Sequence, residues 1–409
     1  MNQPHNVKYD ILSQAFHRDP YPTLRAMREQ DPIFEHPLLQ ARVLTRYADV
    51  NRVLRENTGV FSARKVALFG AGTPEHVADK LRVCNDFFRT WVAFLDPPEH
   101  TRLRALIAKA FTVQSIEGLR AKIESVAAEL IGAARARGSL DVVAELAGPL
   151  PRRIFAELLG IPSEDTVELD RYSSMVIPLF SSGVIGADEV EAAHAGVLGF
   201  YAYFEGHIEA RRSQSTTDLL SNLIEARVGE DRLSDDELVG MCVTLMIADH
   251  ETTSSLISSG ILTLCRQPRA LQELRDNLDL IPSAVDEVMR YESPTFATFR
   301  RVVREFELAD GVVLEPGSFV LAVLAAANRD PERFTDPDDF DIRRGNNRHL
   351  AFSTGIHVCP GAAMARLEGQ IVLRTFVESF EHFELLDDTL VYVPHLMLRG
   401  PQSLRVGVR

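Results

Sequence analysis

The stretch "AFSTGIHVCPGAAMARLE", residues 351–368, decides how the rest of the chain is read. It sets Cys359 between a glycine-bearing loop and a strong helix former, with His357 two residues upstream. Four roles are open to such a cysteine: core packing, catalytic nucleophile, zinc ligand, or thiolate ligand to something larger. Pro360 suits the first position of a helix continuing "GAAMARLEGQIVLRTFVESF", whose free N–H groups and positive dipole end would face the sulfur and favour thiolate. A nucleophilic thiol would use the same environment. Catalytic cysteine and histidine are, however, normally brought together from separated parts of a sequence, and His357 in an extended loop would be aimed elsewhere. Gly355 and Gly361 remove side chains on both sides of the sulfur, which suits a close backbone approach to a flat ligand.

Working outward, the 409 residues are 45% hydrophobic and 25% charged, the balance of a globular protein. No stretch approaches the ~18 consecutive apolar residues of a membrane helix, so a soluble protein with no membrane partner is expected. The start, "MNQPHNVKYDILSQAF", has neither signal-peptide nor transit-peptide character, and a cytoplasmic location is expected. Cys84, Cys242, Cys265 and Cys359 lack CxxC spacing, which argues against a zinc cluster and a disulfide framework. The first three read as small core residues. A formal charge of -14 argues against a nucleic-acid partner, which needs a basic surface.

Helical periodicity dominates, with clear examples at 96–111, 116–138 and 281–292. Shorter β-rich pieces occur at 41–50, 299–323 and 385–408. The expectation is a mainly α fold with a small β-sheet subdomain, built as a single unit over 1–409, because no repeat, low-complexity tract or long linker interrupts it. One helix stands apart. Ser234 and Glu237 form a capping box, and the pattern then runs to about Gln267 before Pro268, roughly 32 residues or ~48 Å. In its apolar middle lies a polar knot of Asp249, His250, Glu251, Thr252 and Thr253, costly to bury unless paired or used.

Two further pairs look bland in isolation. Glu287 and Arg290 form an E-x-x-R pair one helical turn apart, commonly a surface ion pair of little worth. His100 and Arg104, in "DPPEHTRLR", share one helical face at i, i+4.

Together these motifs carry a resemblance. The pattern F-x-x-G-x-H-x-C-x-G, here Phe352, Gly355, His357, Cys359 and Gly361, resembles the heme-binding loop of the cytochrome P-450 superfamily of heme-thiolate monooxygenases, soluble bacterial type. The resemblance runs from "HRDPYPTLRAMRE" (17–29) to the tail. It implies a P-450 fold with a long distal helix over heme b and Cys359 as the iron ligand. Glu287 and Arg290 would belong to a buried structural network completed by Arg329, Arg343 or Arg344. Ferric iron, dianionic porphyrin and thiolate sum to about zero, leaving two heme propionates for cations; the resemblance assigns these to His100, Arg104, Arg300 and His357.

The same resemblance gives the polar knot a task. "ADHETT" is similar to the family's A-G-x-E-T segment, where Ala248 leaves space for dioxygen while Thr252 and Glu251 deliver protons. Asp249 stands where glycine or alanine is usual and is a third candidate in that chemistry. Ser353 stands where glycine usually follows the phenylalanine. Family contact regions fall at 64–94, 172–186, the distal helix, 294–299 and 395–400, so Phe88, Ile247, Ala248, Phe296, Ala297, Met397 and Leu398 are candidates for lining a lipophilic pocket. The implied reaction is hydroxylation or epoxidation of a terpenoid, steroid, fatty acid or polyketide. With no flavin or nicotinamide motif in the sequence, electrons are expected from a ferredoxin and its ferredoxin reductase. Asp249 raises one alternative, a non-oxygenating heme-binding module of the same fold.

Overall fold

In the computed structural model, which describes residues 7–56, 58–64, 75–181, 185–308 and 311–409, the capping box forms as the sequence dictates. Ser234 Oγ accepts the Glu237 N–H at 3.2 Å, and Glu237 Oε2 accepts the Ser234 N–H at 2.9 Å. The helix that follows is Asp235–Arg266, 32 residues long, and it ends just before Pro268. Hydroxyls along it fold back onto carbonyls one turn earlier, Thr244 to Gly240 at 2.6 Å and Ser255 to Glu251 at 2.9 Å. Polar side chains on an apolar helix are thereby satisfied without external partners.

The other helical expectations hold with shifted ends. Residues 96–111 give Glu99–Ala110 and 281–292 give Ile281–Tyr291. The stretch 116–138 gives Arg120–Arg137, preceded by the separate short helix Val113–Glu117. The β-rich stretch 41–50 is only half strand. It ends at Leu44, and Tyr47–Arg55 is helical because the Tyr47 N–H, an orphan donor of the first turn, is taken by Asp330 Oδ2 at 2.7 Å.

The chain divides into two compact units. The first comprises the segments up to Phe61, Ile123–Leu150 and Glu251–Arg409. Four neighbouring strands of its five-stranded main sheet are, in order, Ile33–His36, Ala41–Leu44, Phe319–Val323 and Ala297–Val302, and of their three pairings the middle one is parallel. Phe319–Val323 shows the two-residue period of a strand buried on both faces. Val320 and Ala322 join a core with Val50, Val53 and Leu54, whereas Leu321 and Val323 join another with Phe16, Leu24 and Met27. A second sheet pairs Arg405–Val408 with both Ser139–Asp141 and Phe383–Leu385, so the β-rich tail is strand only at its two ends.

The second unit comprises Ser62–Lys122 and Pro151–His250. Its helices Ala78–Phe88 and Ala187–Ser213 bring Phe87 and Phe200 into a stack; Phe87 and Phe88 meet Trp91 edge-on, Phe88 meets Phe94 edge-on, and Trp91 stacks on Phe94. Gly240 lies so close to Thr90 that a Cβ there would stand 1.7 Å from the Thr90 hydroxyl oxygen. Cys84 and Cys242 are buried and Cys265 half-buried; burial pushes each thiol up to about 12, which keeps all three neutral, as core residues should be.

Candidate active site

The loop before the cysteine is shaped by two left-handed residues, Ser353 at φ 58° and Gly355 at φ 72°. Between Phe352 and Cys359 it closes with a hydrogen bond from the Cys359 N–H to the Phe352 carbonyl at 2.9 Å. The helix Ala362–Ser379 has Gly361 as its N-cap, so Pro360 stands one residue before the cap rather than at the first helical position; the Gly361 carbonyl accepts the Ala365 N–H at 2.9 Å. A Cβ on Gly361 would stand 3.9 Å from Cys359 Sγ, which locates the half-buried sulfur at the positive end of that helix. Gly355 has a different reason from the one its sequence position suggested. A Cβ there would lie 2.4 Å from the Leu54 carbonyl oxygen, so its bareness admits the backbone of the Tyr47–Arg55 helix.

Beneath this loop two adjacent carboxylates on Ile281–Tyr291 act as anchors. Asp286 Oδ1 accepts from Arg366 Nε at 2.8 Å and meets His349 Nε2 at 3.4 Å, while the Arg366 guanidinium lies 4.5 Å from the Phe352 ring centroid. Burial alone would raise the Asp286 carboxyl, but the His349 and Arg366 hydrogen bonds hold it below the usual carboxylate range. Glu287 and Arg290 have no exposed surface. They form a two-point pair at 2.7 and 2.8 Å, and Arg290 also donates to the carbonyls of Asn328, Pro337 and Asp339. Of the three arginines considered for this network, Arg344 completes it, its Nε 3.1 Å from Glu287 Oε1. Arg329 pairs instead with Asp338, and Arg343 with Glu273.

The helix Ala362–Ser379 is seated by close contacts at glycine. A Cβ on Gly369 would come within 3.0 Å of Leu256 and 3.3 Å of Val285, and one on Gly260 within 3.1 Å of Leu373. Arg300, on Ala297–Val302, is buried, with Nη1 donating to the Phe299 carbonyl at 2.8 Å and to Thr298 Oγ1 at 3.2 Å. His357 is half-buried in the cysteine loop.

On the long helix, Ile247 is buried and Ala248 exposed, while Asp249, Glu251 and Thr252 are half-buried. In the second unit His250 Nδ1 stands 4.0 Å from Asp170 Oδ1, and Asp170 is also paired with Arg152. His100 and Arg104 share a face of Glu99–Ala110, the histidine buried and the arginine half-buried.

Four candidates for the pocket wall are drawn together by backbone pairing. The Phe296 and Ala297 N–H groups both donate to the Met397 carbonyl, at 2.8 and 3.4 Å, and Thr295 bridges Leu398. The turn that presents Met397 and Leu398 is set by His395, whose Nδ1 accepts both of their N–H groups, at 3.0 and 3.2 Å. Packing of this segment on the long helix is tight, since a Cβ on Gly400 would stand 2.5 Å from Ser255 Oγ. Phe88, expected in the same wall, instead has no exposed surface and packs among Phe87, Trp91 and Phe94. The contact segments 65–74 and 182–184 lie outside the described residues.

Sequence reasoning missed Asp286, His349 and His395. Their signals were a second carboxylate beside Glu287 and histidines at fixed turns, which gain meaning only from tertiary partners.

Comparison with known proteins agrees with this arrangement. Residues 190–403 match the family model for Cytochrome P450. Cytochrome P450 109 of Bacillus spizizenii is 33% identical over 393 residues, covering 95% of this chain and 92% of the relative. Cytochrome P450 monooxygenase PikC of Streptomyces venezuelae is 36% identical over 411 residues, covering 97% and 93%. P450BioI, solved in complex with an acyl carrier protein ligated to hexadec-9Z-enoic acid, superposes with a TM-score of 0.88 at 31% identity, covering 97% of this chain and 99% of that one. Among the described residues no helix is long and apolar enough to cross a membrane. A cysteine loop of this build, over a mainly helical fold with small sheets and with relatives matched along nearly their whole length, means that the chain belongs to the cytochrome P450 family and is a monooxygenase with heme b as its cofactor.

Proposed function

We propose that Cys359 is the axial thiolate of heme b, that residues 1–409 act as one heme-thiolate domain, and that the substrate is a lipophilic small molecule of the terpenoid, steroid, fatty-acid or polyketide kind. The observation that carries the first point is the half-buried sulfur at the N-terminus of Ala362–Ser379. The donor set fits the cofactor. A single thiol at a helix N-terminus suits an iron ligand, and Arg300 and His357 of the first unit offer two donors for the propionates. When bound, heme b supplies the oxidant that inserts one atom of dioxygen, its thiolate favouring O–O cleavage.

The chain's own residues hold and move protons. Glu251 takes a proton from solvent at its carboxylate, and Thr252 presents one at Oγ1, next to the small Ala248. Asp249 adds a second carboxylate beside them, replacing the small residue usual there, so it bears on proton delivery or on the polarity that substrate meets. Phe296, Ala297, Met397 and Leu398 make an apolar wall, which favours a substrate with extended hydrocarbon surface. Relatives agree in kind, among them 6-deoxyerythronolide B hydroxylase of Saccharopolyspora erythraea and CYP109E1 of Bacillus megaterium, solved with testosterone.

Electrons come, on this reading, from a ferredoxin and its reductase. Of the basic residues that flank the heme motifs, Arg102 is paired with Asp231 and Glu237, Arg343 with Glu273, Arg344 with Glu287 and Arg366 with Asp286. Lys109 and Arg348 form no ion pair among the described residues and are the better candidates for meeting an acidic ferredoxin.

The test is the optical spectrum of the reduced protein under carbon monoxide, beside Cys359→Ala. A strongly red-shifted Soret band lost in the variant supports the ligand assignment, and an unchanged band overturns it. Spin-state shifts on titration with lipophilic compounds, absent for polar analogues, test the substrate class.

A further inference from the structure

Away from the residues proposed to hold heme, the first unit carries a polar cleft of about 520 Å3. Its floor is made of two guanidinium groups, Arg329 and Arg399, each only 6% exposed. Arg329 lies between two rings, its guanidinium carbon 3.5 Å from the Tyr21 centroid and 3.7 Å from that of Tyr291. It donates twice to the Tyr291 carbonyl, at 2.8 and 3.1 Å, and to Asp338 at 3.3 Å. Arg399 stands 4.0 Å from the Tyr392 centroid and donates to Glu292 at 3.2 Å. Glu292 also accepts the Tyr21 hydroxyl at 3.1 Å, and burial pushes that phenol well above its usual range. The cations of the floor already serve protein acceptors.

The walls do not balance in the same way. Arg25 shares Asp338 with Arg329, so Glu292 and Asp338 together answer three arginines. Arg18 and Arg266 line the same cleft, are exposed, and form no ion pair with a carboxylate among the described residues; Arg266 lies in hydrogen-bond reach of the Tyr392 side chain. Asp19 is the remaining carboxylate of the lining, which therefore holds five arginines against three acids. That local excess stands out in a chain whose formal charge is -14.

We propose that this cleft binds a compact dianion, carried on a phosphate ester or a dicarboxylate, through the guanidinium groups of Arg18 and Arg266 with the Tyr392 hydroxyl beside them. Guanidinium forks match paired anionic oxygens, and a concave wall with a net excess of positive charge concentrates anions. The volume admits an organic body as well as the anionic group. That body is aliphatic or sugar-like, because Arg329 occupies ring faces of Tyr21 and Tyr291, and Arg399 one of Tyr392, which leaves little stacking surface for a planar base.

The test is calorimetric titration of the heme-loaded protein with inorganic phosphate, pyrophosphate and succinate, with sodium chloride at matched ionic strength as the blank. Saturable one-to-one binding is expected, weakened about tenfold or more in the Arg18→Gln, Arg266→Gln double variant and unaltered in Lys109→Gln. Preference for the phosphates points to an ester, and preference for succinate to a dicarboxylate. Both arginines are exposed, so the double variant should keep its thermal midpoint and its carbon monoxide spectrum. Absence of saturable heat with all three probes, or equal binding by the double variant, overturns the proposal and leaves the heme assignment untouched.

Discussion

Arg344 Nε lies 3.1 Å from Glu287 Oε1, so one buried carboxylate holds two guanidinium groups, that of Arg290 from its own helix and that of Arg344 from a distant turn. The same oxygen accepts the Asp341 N–H at 2.9 Å, and Asn347 reaches the other at 3.2 Å. Glu287 therefore ties the segment around 335–347 to the helix that also carries Asp286. Replacing one partner of such a network leaves a buried charge uncompensated, at a cost of about 3–5 kcal/mol. Glu287→Gln should lower stability by that order in denaturant titrations and reduce heme content on purification. Arg344→Ala should follow in the same direction with a smaller loss, because Arg290 still meets the carboxylate. Near-normal stability in Glu287→Gln would mean that the network is dispensable.

Asp286 leads to a prediction with a definite pH sign. Its carboxyl is held below its unfolded value, so the folded state binds that proton less readily than the unfolded chain. The stabilisation is present above the unfolded carboxylate range near pH 4 and is lost as pH falls through the folded value. Asp286→Asn should flatten the acid limb of the stability profile between about pH 5 and 3. It should also release Arg366 from beneath Phe352, visible as a broadened or shifted Soret band while the cysteine ligand remains. A variant with an unchanged acid limb would show that His349 and Arg366 do not favour the charged form.

How far the sequence could be read depends on how local each determinant is. The cysteine loop, the capping box at Ser234 and Glu237 and the E-x-x-R spacing are all written within a few residues, and each lies where the spacing put it. The E-x-x-R pair looked on its own like a surface ion pair; its complete burial depends on carbonyls of Asn328, Pro337 and Asp339, 38 to 49 positions away. The choice of Arg344 over Arg329 or Arg343 was illegible for the same reason, since all three lie on one irregular segment and differ only in tertiary placement. Helix onset at Tyr47 needed Asp330, and the fate of Phe88 needed Trp91 and Phe94 around it. Local sequence thus carried the chemistry-bearing motifs, and long-range partners decided which polar groups are buried.

The two left-handed residues of the cysteine loop should respond oppositely to substitution. Gly355→Ala meets both an unfavourable φ and a carbonyl oxygen at 2.4 Å, so the Tyr47–Arg55 helix must shift. A loss of about 2 kcal/mol or more, with impaired heme retention, is expected. Ser353 adopts φ 58° as an L-residue, at a cost of about 1–2 kcal/mol, of which glycine would return all but the roughly 0.4–1 kcal/mol of extra unfolded-state entropy. Ser353→Gly should therefore hold or raise the thermal midpoint, while β-branched Ser353→Val should lower it. A fall in Ser353→Gly equal to that in Ser353→Val would show that the serine hydroxyl, not backbone strain, matters there.

In the second unit His207 provides a pH response separate from the carboxylate limb. Burial, and then the positive charge of Arg211 3.2 Å from Nδ1, push its imidazole below the usual value, more than Asp165 and Asp218 offset. A histidine of this kind binds a proton more readily when the chain unfolds. Stability is therefore greatest above the unfolded value near pH 6.5 and declines as pH falls below it, by at most about 1.4 kcal/mol per pH unit for one group. His17, lowered by burial and by Arg399, adds to the same slope. Measured by denaturant titration between pH 7 and 5, the protein should lose stability steadily, and His207→Gln should lose less over that interval. Equal slopes in the two proteins would mean that His207 keeps its proton affinity on folding, and that its ring, tilted against Tyr203 at 4.6 Å, serves packing alone.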